Sequence, residues 1–233
     1  VKGGNSLELH KRKYAFLLAL LCFALAVESA GARGADQVVS DLLRTFLGVS
    51  IWYIVFERTR ERWVMGVTLV MSVVISWGRY IAGPDLNHAI SLVDQAVLAL
   101  FLWGAVFAIL RDLFNKPGGA SQNVLGAICG YLIAGNAWGR LNAVAYLIVP
   151  SAYRINPDVA ALLPDWHGRV ALFTYYSFTQ VLTLGYSDVT PLREPATTLS
   201  LFAALFGVFY TAVVISQFVG LAQRGSNQPR QEP

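Results

Sequence analysis

Five consecutive residues, Thr183-Leu184-Gly185-Tyr186-Ser187, offer the oxygens that a dehydrated cation needs. An ion that sheds its water has to be recoordinated, and rings of backbone carbonyls can replace the hydration shell. Extended backbone at membrane depth is tolerated only where it lines a water-filled path. Gly185 permits backbone geometry that a Cβ would block, and the Thr183 hydroxyl adds one more oxygen at the inner end. Taken alone, Thr-x-Gly-Tyr also fits a polar re-entrant loop without ion chemistry. The elements around it therefore decide its meaning.

Those elements are apolar. Hydrophobic residues make up 55% of the chain and charged ones 14%, with a mean hydropathy of +0.51. Such values point to a membrane protein. A spanning helix needs about 20 mostly apolar residues, and the chain supplies candidates at 14–27, 38–56, 63–82, 89–110, 123–149 and 197–221. A seventh segment, about 170–182, is too short to cross and ends at the oxygen-rich loop. Breakers separate the spans: Ala30-Gly-Ala-Arg-Gly34, the charged stretch 57–62, Gly83-Pro84-Asp85 and Asn115-Lys-Pro-Gly-Gly119. None is a long linker, so one integral membrane domain is expected.

Charge sets the orientation. With the N-terminus inside, the inner ends carry Lys2, Lys11, Arg12, Lys13, Arg58, Arg60, Arg62, Arg111, Lys116, Arg224 and Arg230. The outer ends carry fewer, chiefly Arg33, Arg79, Arg154, Arg169 and Arg193. This asymmetry puts both termini in the cytoplasm and the loop outside. The net charge of +4 and pI near 9.2 reflect these flanking residues, so no nucleic-acid partner is expected. Cys22 and Cys129 lie inside apolar runs and form neither a disulfide framework nor a zinc pattern.

A short amphipathic helix, Thr183-Leu184-Gly185-Tyr186 and two flanking spans, in that order, resemble the pore module of the potassium-channel superfamily. The likeness is to the bacterial two-helix-plus-pore-loop type, here behind four extra transmembrane helices, and covers about 123–221. It implies an all-α membrane protein: six transmembrane helices, a re-entrant pore helix and selectivity filter, and a tetrameric pore. The expected divisions are a cytoplasmic N-terminus (1–13), a four-helix region (14–116), a pore domain (117–222) and a disordered cytoplasmic tail (223–233). One chain carries one loop, so four copies must close around an axis as a homotetramer in membrane lipid.

The resemblance also assigns roles. K+ would be held at Thr183, Leu184, Gly185 and Tyr186, as permeant ion rather than cofactor, in a multi-pass protein of the cell (inner) membrane. Asp188 would anchor the filter's outer end and form a ring at the mouth. Tyr175 and Tyr176 match a pair of aromatics that buttress the filter tyrosine, or they anchor the helix at the interface. Gly207 matches a hinge glycine, or it makes room for a neighbouring helix. Ser216 and Gly220 lie where an inner gate would be. Ser187 departs from the pattern, since it stands where the family has a second glycine. A side chain there is expected to cost about 1–2 kcal/mol in backbone strain. The implied function is a potassium or potassium-preferring cation channel. The alternative is a non-selective cation channel or a non-conducting channel-like subunit.

Several residues fall outside this frame. The span 89–110 has no arginine, so steep voltage gating is not expected. Its one acid, Asp94, is either a functional group or a polar residue paired to Arg79 or Arg44. Arg140 should face protein or water rather than lipid. His167, just before the expected pore helix, is either a proton sensor at the outer mouth or a turret histidine in water. No catalytic motif occurs, and His10, His88 and His167 all fall near membrane surfaces, so no enzyme is expected. The first span, with Lys11-Arg-Lys13 before it and small residues after it, reads as a retained helix or a signal peptide. The gating stimulus is not written in the residues.

Overall fold

The computed structural model describes residues 3–31, 37–56, 59–81, 84–115 and 120–226. Arg33, Arg58, Lys116 to Gly119 and the tail beyond Ser226 lie outside them, as does part of the junction at which a leader would be cleaved. Six long helices dominate: α1 Gly3–Gly31, α2 Gln37–Val55, α3 Thr59–Gly78, α4 Pro84–Asn115, α5 Ala120–Ile148 and, last in the chain, α8 Ala196–Ser226. Between α5 and α8 come a 3-10 turn Pro150–Ala152, strand β1 Tyr153–Ile155, the one-turn helix α6 Pro157–Ala160, helix α7 Trp166–Val181 and strand β2 Val189–Pro191.

Local chemistry explains the boundaries. Pro84 opens α4, because a first-turn residue needs no N–H for the helix ladder. The Asp165 carboxylate accepts the Gly168 amide at 2.8 Å and starts α7 four residues before the apolar run that had marked it. Trp166 and His167 therefore belong to the first turn of α7. Strands β1 and β2 pair antiparallel, with Arg154 opposite Thr190. Three residues are too few to show a strand period, so the all-α expectation missed them.

Helix α5 is the hub, packing on α4, α7, α1 and α8. Its glycines make the contacts short. A Cβ on Gly139 would stand 2.9 Å from the Thr174 Cα, so α5 and α7 touch backbone to backbone there. A large apolar cluster joins α1, α2, α4 and α5 through Leu17, Ile51, Phe101 and Ile133. A second, around Tyr153, Phe173 and Tyr176, seals the region under the β pair.

The surface is inverted relative to a water-soluble protein. Trp63, Val70 and Val74 on α3, and Leu201, Phe202 and Phe209 on α8, point outward. Asp41, Asp94, Gln95, Arg140 and Asn142 are buried. Apolar outside and ionisable inside is the arrangement that lipid imposes. Three helical stretches among the described residues are long and apolar enough to cross a membrane: Val38–Val55, His88–Phe114 and Ala196–Val214, with Lys13–Val27 a shorter apolar piece. Helix α3 misses that standard with Arg60, Glu61 and Arg62 in its first turn, and α5 with its glycines, Asn136 and Arg140.

Candidate functional site

Helix α7 descends between α5 and α8 and ends at Val181, where its last turn is gripped from two sides. The Tyr131 hydroxyl of α5 donates to the Val181 carbonyl at 3.0 Å. Gly207 of α8 lies against that same group, so closely that a Cβ would stand 1.9 Å from the Val181 oxygen. This contact makes Gly207 a site of close approach. Helix α8 continues unbroken through it. One turn on, the Tyr210 hydroxyl donates to Ala127 of α5 at 2.7 Å.

The chain then turns sharply. Thr183 takes a φ of +57°, the one positive φ among described non-glycine residues, and Gly185 takes +75°. The amides of Thr183, Leu184 and Gly185 turn back to the helix end, donating to Gln180 and Thr179 carbonyls at 2.9, 2.8 and 3.4 Å. The Thr183 hydroxyl donates to the Leu182 carbonyl at 2.7 Å. Among the described residues, no hydrogen bond ends on the carbonyls of Thr183, Leu184, Gly185 or Tyr186. Amides are thus spent on the scaffold while carbonyls stay open. Leu182, Leu184 and Tyr186 are exposed at this edge of the chain.

Ser187 behaves differently from the expectation of strain. Its φ is not positive, and its hydroxyl accepts the Val189 amide at 3.2 Å, bracing the turn into β2. The left-handed residue is Thr183 instead, where the chain leaves the helix. Asp188 is held by Asn156, whose amide donates to the Asp188 carbonyl at 2.8 Å and whose side chain donates to its carboxylate at 3.1 Å. The loop before α7 thereby fixes the far end of the oxygen-rich segment.

The two tyrosines part company. Tyr176 is fully buried, and its hydroxyl bonds to Ser200 of α8 rather than reaching toward Tyr186. Tyr175 is exposed on the opposite side. Ser216 is exposed near the far end of α8, its hydroxyl donating to the Val213 carbonyl at 2.8 Å. Gly220 lies in the same helix, where only the backbone is described.

A polar seam joins the front helices to α7. Asp41 of α2 receives Arg44 and His167 on one oxygen, both at 3.2 Å, and Tyr80 at 2.9 Å and Arg79 at 3.5 Å on the other. His167 is thus half-buried and held on an acid 126 residues away, rather than a turret group in water. Asp94 is 1% exposed, bonded to Ser72 at 3.2 Å, and feels the charges of Arg44, Arg79 and Arg140. Arg140 is buried as expected and donates to Gln95 at 3.3 Å. Arg79 lies in the turn after α3, where burial pulls its pKa below the ordinary guanidinium value while Asp94 and Asp41 push back. A guanidinium stays cationic through such a shift. Asp41 and Gln95 had not been singled out. The rule that drew attention to Asp94, an acid inside an apolar span, applies equally to Asp41.

Residues 166–224, about a quarter of the chain, match the model of a protein family described as "Ion channel". The matched stretch runs from the start of α7 through the open carbonyls and almost to the end of α8. It supports a potassium-channel-like pore module there and does not extend to α1 through α5. Comparison with curated proteins found no match, and comparison with solved structures found none either. The chain is thus mostly helical, with helices long and apolar enough to cross a membrane and a segment similar to an ion-channel family. Among its described residues, no cluster of His, Cys, Asp and Glu is suited to hold a metal.

Proposed function

We propose that the protein is a potassium-preferring cation channel, conducting passively through a pore made by four copies of this chain. The observation that carries this reading is the division of labour at Thr183 to Tyr186. The amides of Thr183, Leu184 and Gly185 are tied to α7, and the four carbonyls accept nothing among the described residues. Four such edges around an axis would stack rings of oxygens, the arrangement that replaces a cation's water. The partial negative charge at the C-terminal end of α7 favours a cation beneath them. Asp188, fixed by Asn156, would set acidic groups at the mouth.

The ions are the substrate, so neither a cofactor nor a catalytic residue is assigned. All six long helices would cross the cell membrane, with the charges of α3 at its cytoplasmic end, Arg140 of α5 buried in the bundle and both termini cytoplasmic. Steep voltage gating is not part of the proposal, because α4 carries no arginine ladder and the arginines of α2 and α5 are committed to buried partners.

The test is the reversal potential of purified protein in a planar bilayer, with potassium on one side and sodium on the other. The expected value lies near the potassium equilibrium potential. A value near zero with stable currents would replace the proposal with a non-selective pore. Silence from verified tetramers, at any voltage, would replace it with a non-conducting subunit.

A further inference from the structure

At the end of the bundle where α2 and α4 begin and α3 ends, a cavity of about 370 Å³ opens beside the start of α7. Its charged and polar lining is Arg79, Arg169, His88, His167, Ser91 and Asp41. The one acid in this wall is saturated. A carboxylate offers about four acceptor sites, and Arg44, His167, Tyr80 and Arg79 already occupy the two oxygens of Asp41. Arg79 and His167 are spent on that acid, which leaves Arg169 and His88 as the cavity's other basic side chains. Among the described residues, Arg169 donates to the main-chain carbonyls of Leu163 and Pro164, at 3.0 and 3.5 Å, with Asp165 a nearby charge. Trp166 Nε1 and His167 Nδ1, both shielded from water, have no hydrogen-bond partner among the described residues.

Rigidity adds to the case. The Arg79 guanidinium stacks over the Trp166 ring at 3.8 Å from its centroid and is held from behind by Ser76. Ordered guanidinium groups beside imidazole and hydroxyl donors are the chemistry that recognises a phosphate group. The volume falls among those of small-molecule sites, roughly 300–1,000 Å³. Trp166 and Tyr80 border the cavity in the manner of residues at a membrane–water boundary.

We propose that this cavity binds a phosphate-bearing anion, with Arg169, His88 and Ser91 at the ligand and Arg79 as its fixed rear wall. The site bridges the front helices and the pore helix, so its occupant would hold the two together. The phosphate has two possible sources, an anionic lipid headgroup or phosphate free in solution.

The full-length protein is reconstituted into nanodiscs of phosphatidylcholine with or without phosphatidylglycerol, and retained lipid is counted by native mass spectrometry. In parallel, thermal unfolding in neutral detergent is followed with and without inorganic phosphate, using sodium chloride at matched ionic strength as control. Retention of phosphatidylglycerol, weakened about tenfold in His88→Gln/Arg169→Gln by loss of charge-assisted bonds, supports the lipid source. A phosphate-specific rise in Tm, absent from the double variant, supports the free anion. His88→Gln alone, at an exposed position, gives a smaller loss and guards against misfolding of the double variant. No selective retention and no phosphate-specific rise overturn the proposal, as does retention that ignores both substitutions. The readouts are binding and unfolding, so conduction can fail while this site stands.

Discussion

Ser187 shows how a single side chain can change the meaning of a loop. It sits without positive φ and accepts the Val189 amide. Replacing it with glycine relieves no strain. Instead it removes a hydrogen bond of about 0.5–1.5 kcal/mol and adds backbone freedom of about 0.5–1 kcal/mol. Ser187→Gly should therefore loosen the outer filter, and the reversal potential between potassium and sodium should move toward zero relative to the parent. Sharper potassium preference in the variant would show that the serine is a burden after all. The sequence placed the anomaly at the right residue and misjudged its kind. Identity in a pattern says which residue is unusual, whereas φ depends on how the chain exits α7, and that exit is taken up by Thr183.

At the scale of elements, β1 and β2 matter more than their three residues each suggest. Through Asn156 this pair carries the end of the oxygen-rich segment, with two hydrogen bonds on Asp188. Asn156→Ala keeps the backbone bond and removes the side-chain one, together with the cap that the Asn156 Oδ1 gives the Asp158 amide at 3.2 Å. Its expected signature is faster decay of current during sustained conduction, with folding and assembly near normal because Asn156 is exposed. Single-channel recording of open-time distributions checks this, and unchanged open times would mean the clasp does not support the filter. Apolar runs made the six long helices and the pore helix legible in the sequence. The clasp was not, since a strand this short has no periodicity and its partner lies 36 residues away. The start of α7 had a readable signal in Asp165, but the apolar run beginning at Val170 was taken as the boundary.

For the whole molecule, the front helices and the pore segment are packed as one body. Arg140 and Asn142 are buried in α5, and Arg140 spends a donor on Gln95 of α4. A fragment spanning 120–226 would leave Arg140 without Gln95 and near Asp94 no longer. Exposing such a group to lipid costs about 2.5–3.5 kcal/mol at the centre of a helix by insertion scales. The fragment should elute as aggregate in size-exclusion chromatography under conditions where the full chain is a single species. A well-behaved oligomer of that fragment would show the pore segment to be self-sufficient. None of this was readable from composition. Residues more than forty positions apart meet only once helices pack, and charge tells that a partner must exist without saying which.

The grip on Val181 divides the longest moving part a channel of this kind would have. Above Tyr210, α8 is pinned to α7 through Gly207 and to α5 through the Tyr210 hydroxyl. Below it, Thr211 turns its hydroxyl back onto the Gly207 and Val208 carbonyls, both at 3.0 Å, a habit that bends helices. The upper half is then a fixed post, with an elbow available about one turn beyond the glycine. In the proposed channel a bend there would leave the oxygen-lined segment undisturbed, so opening below and selection above would be separate tasks for one helix.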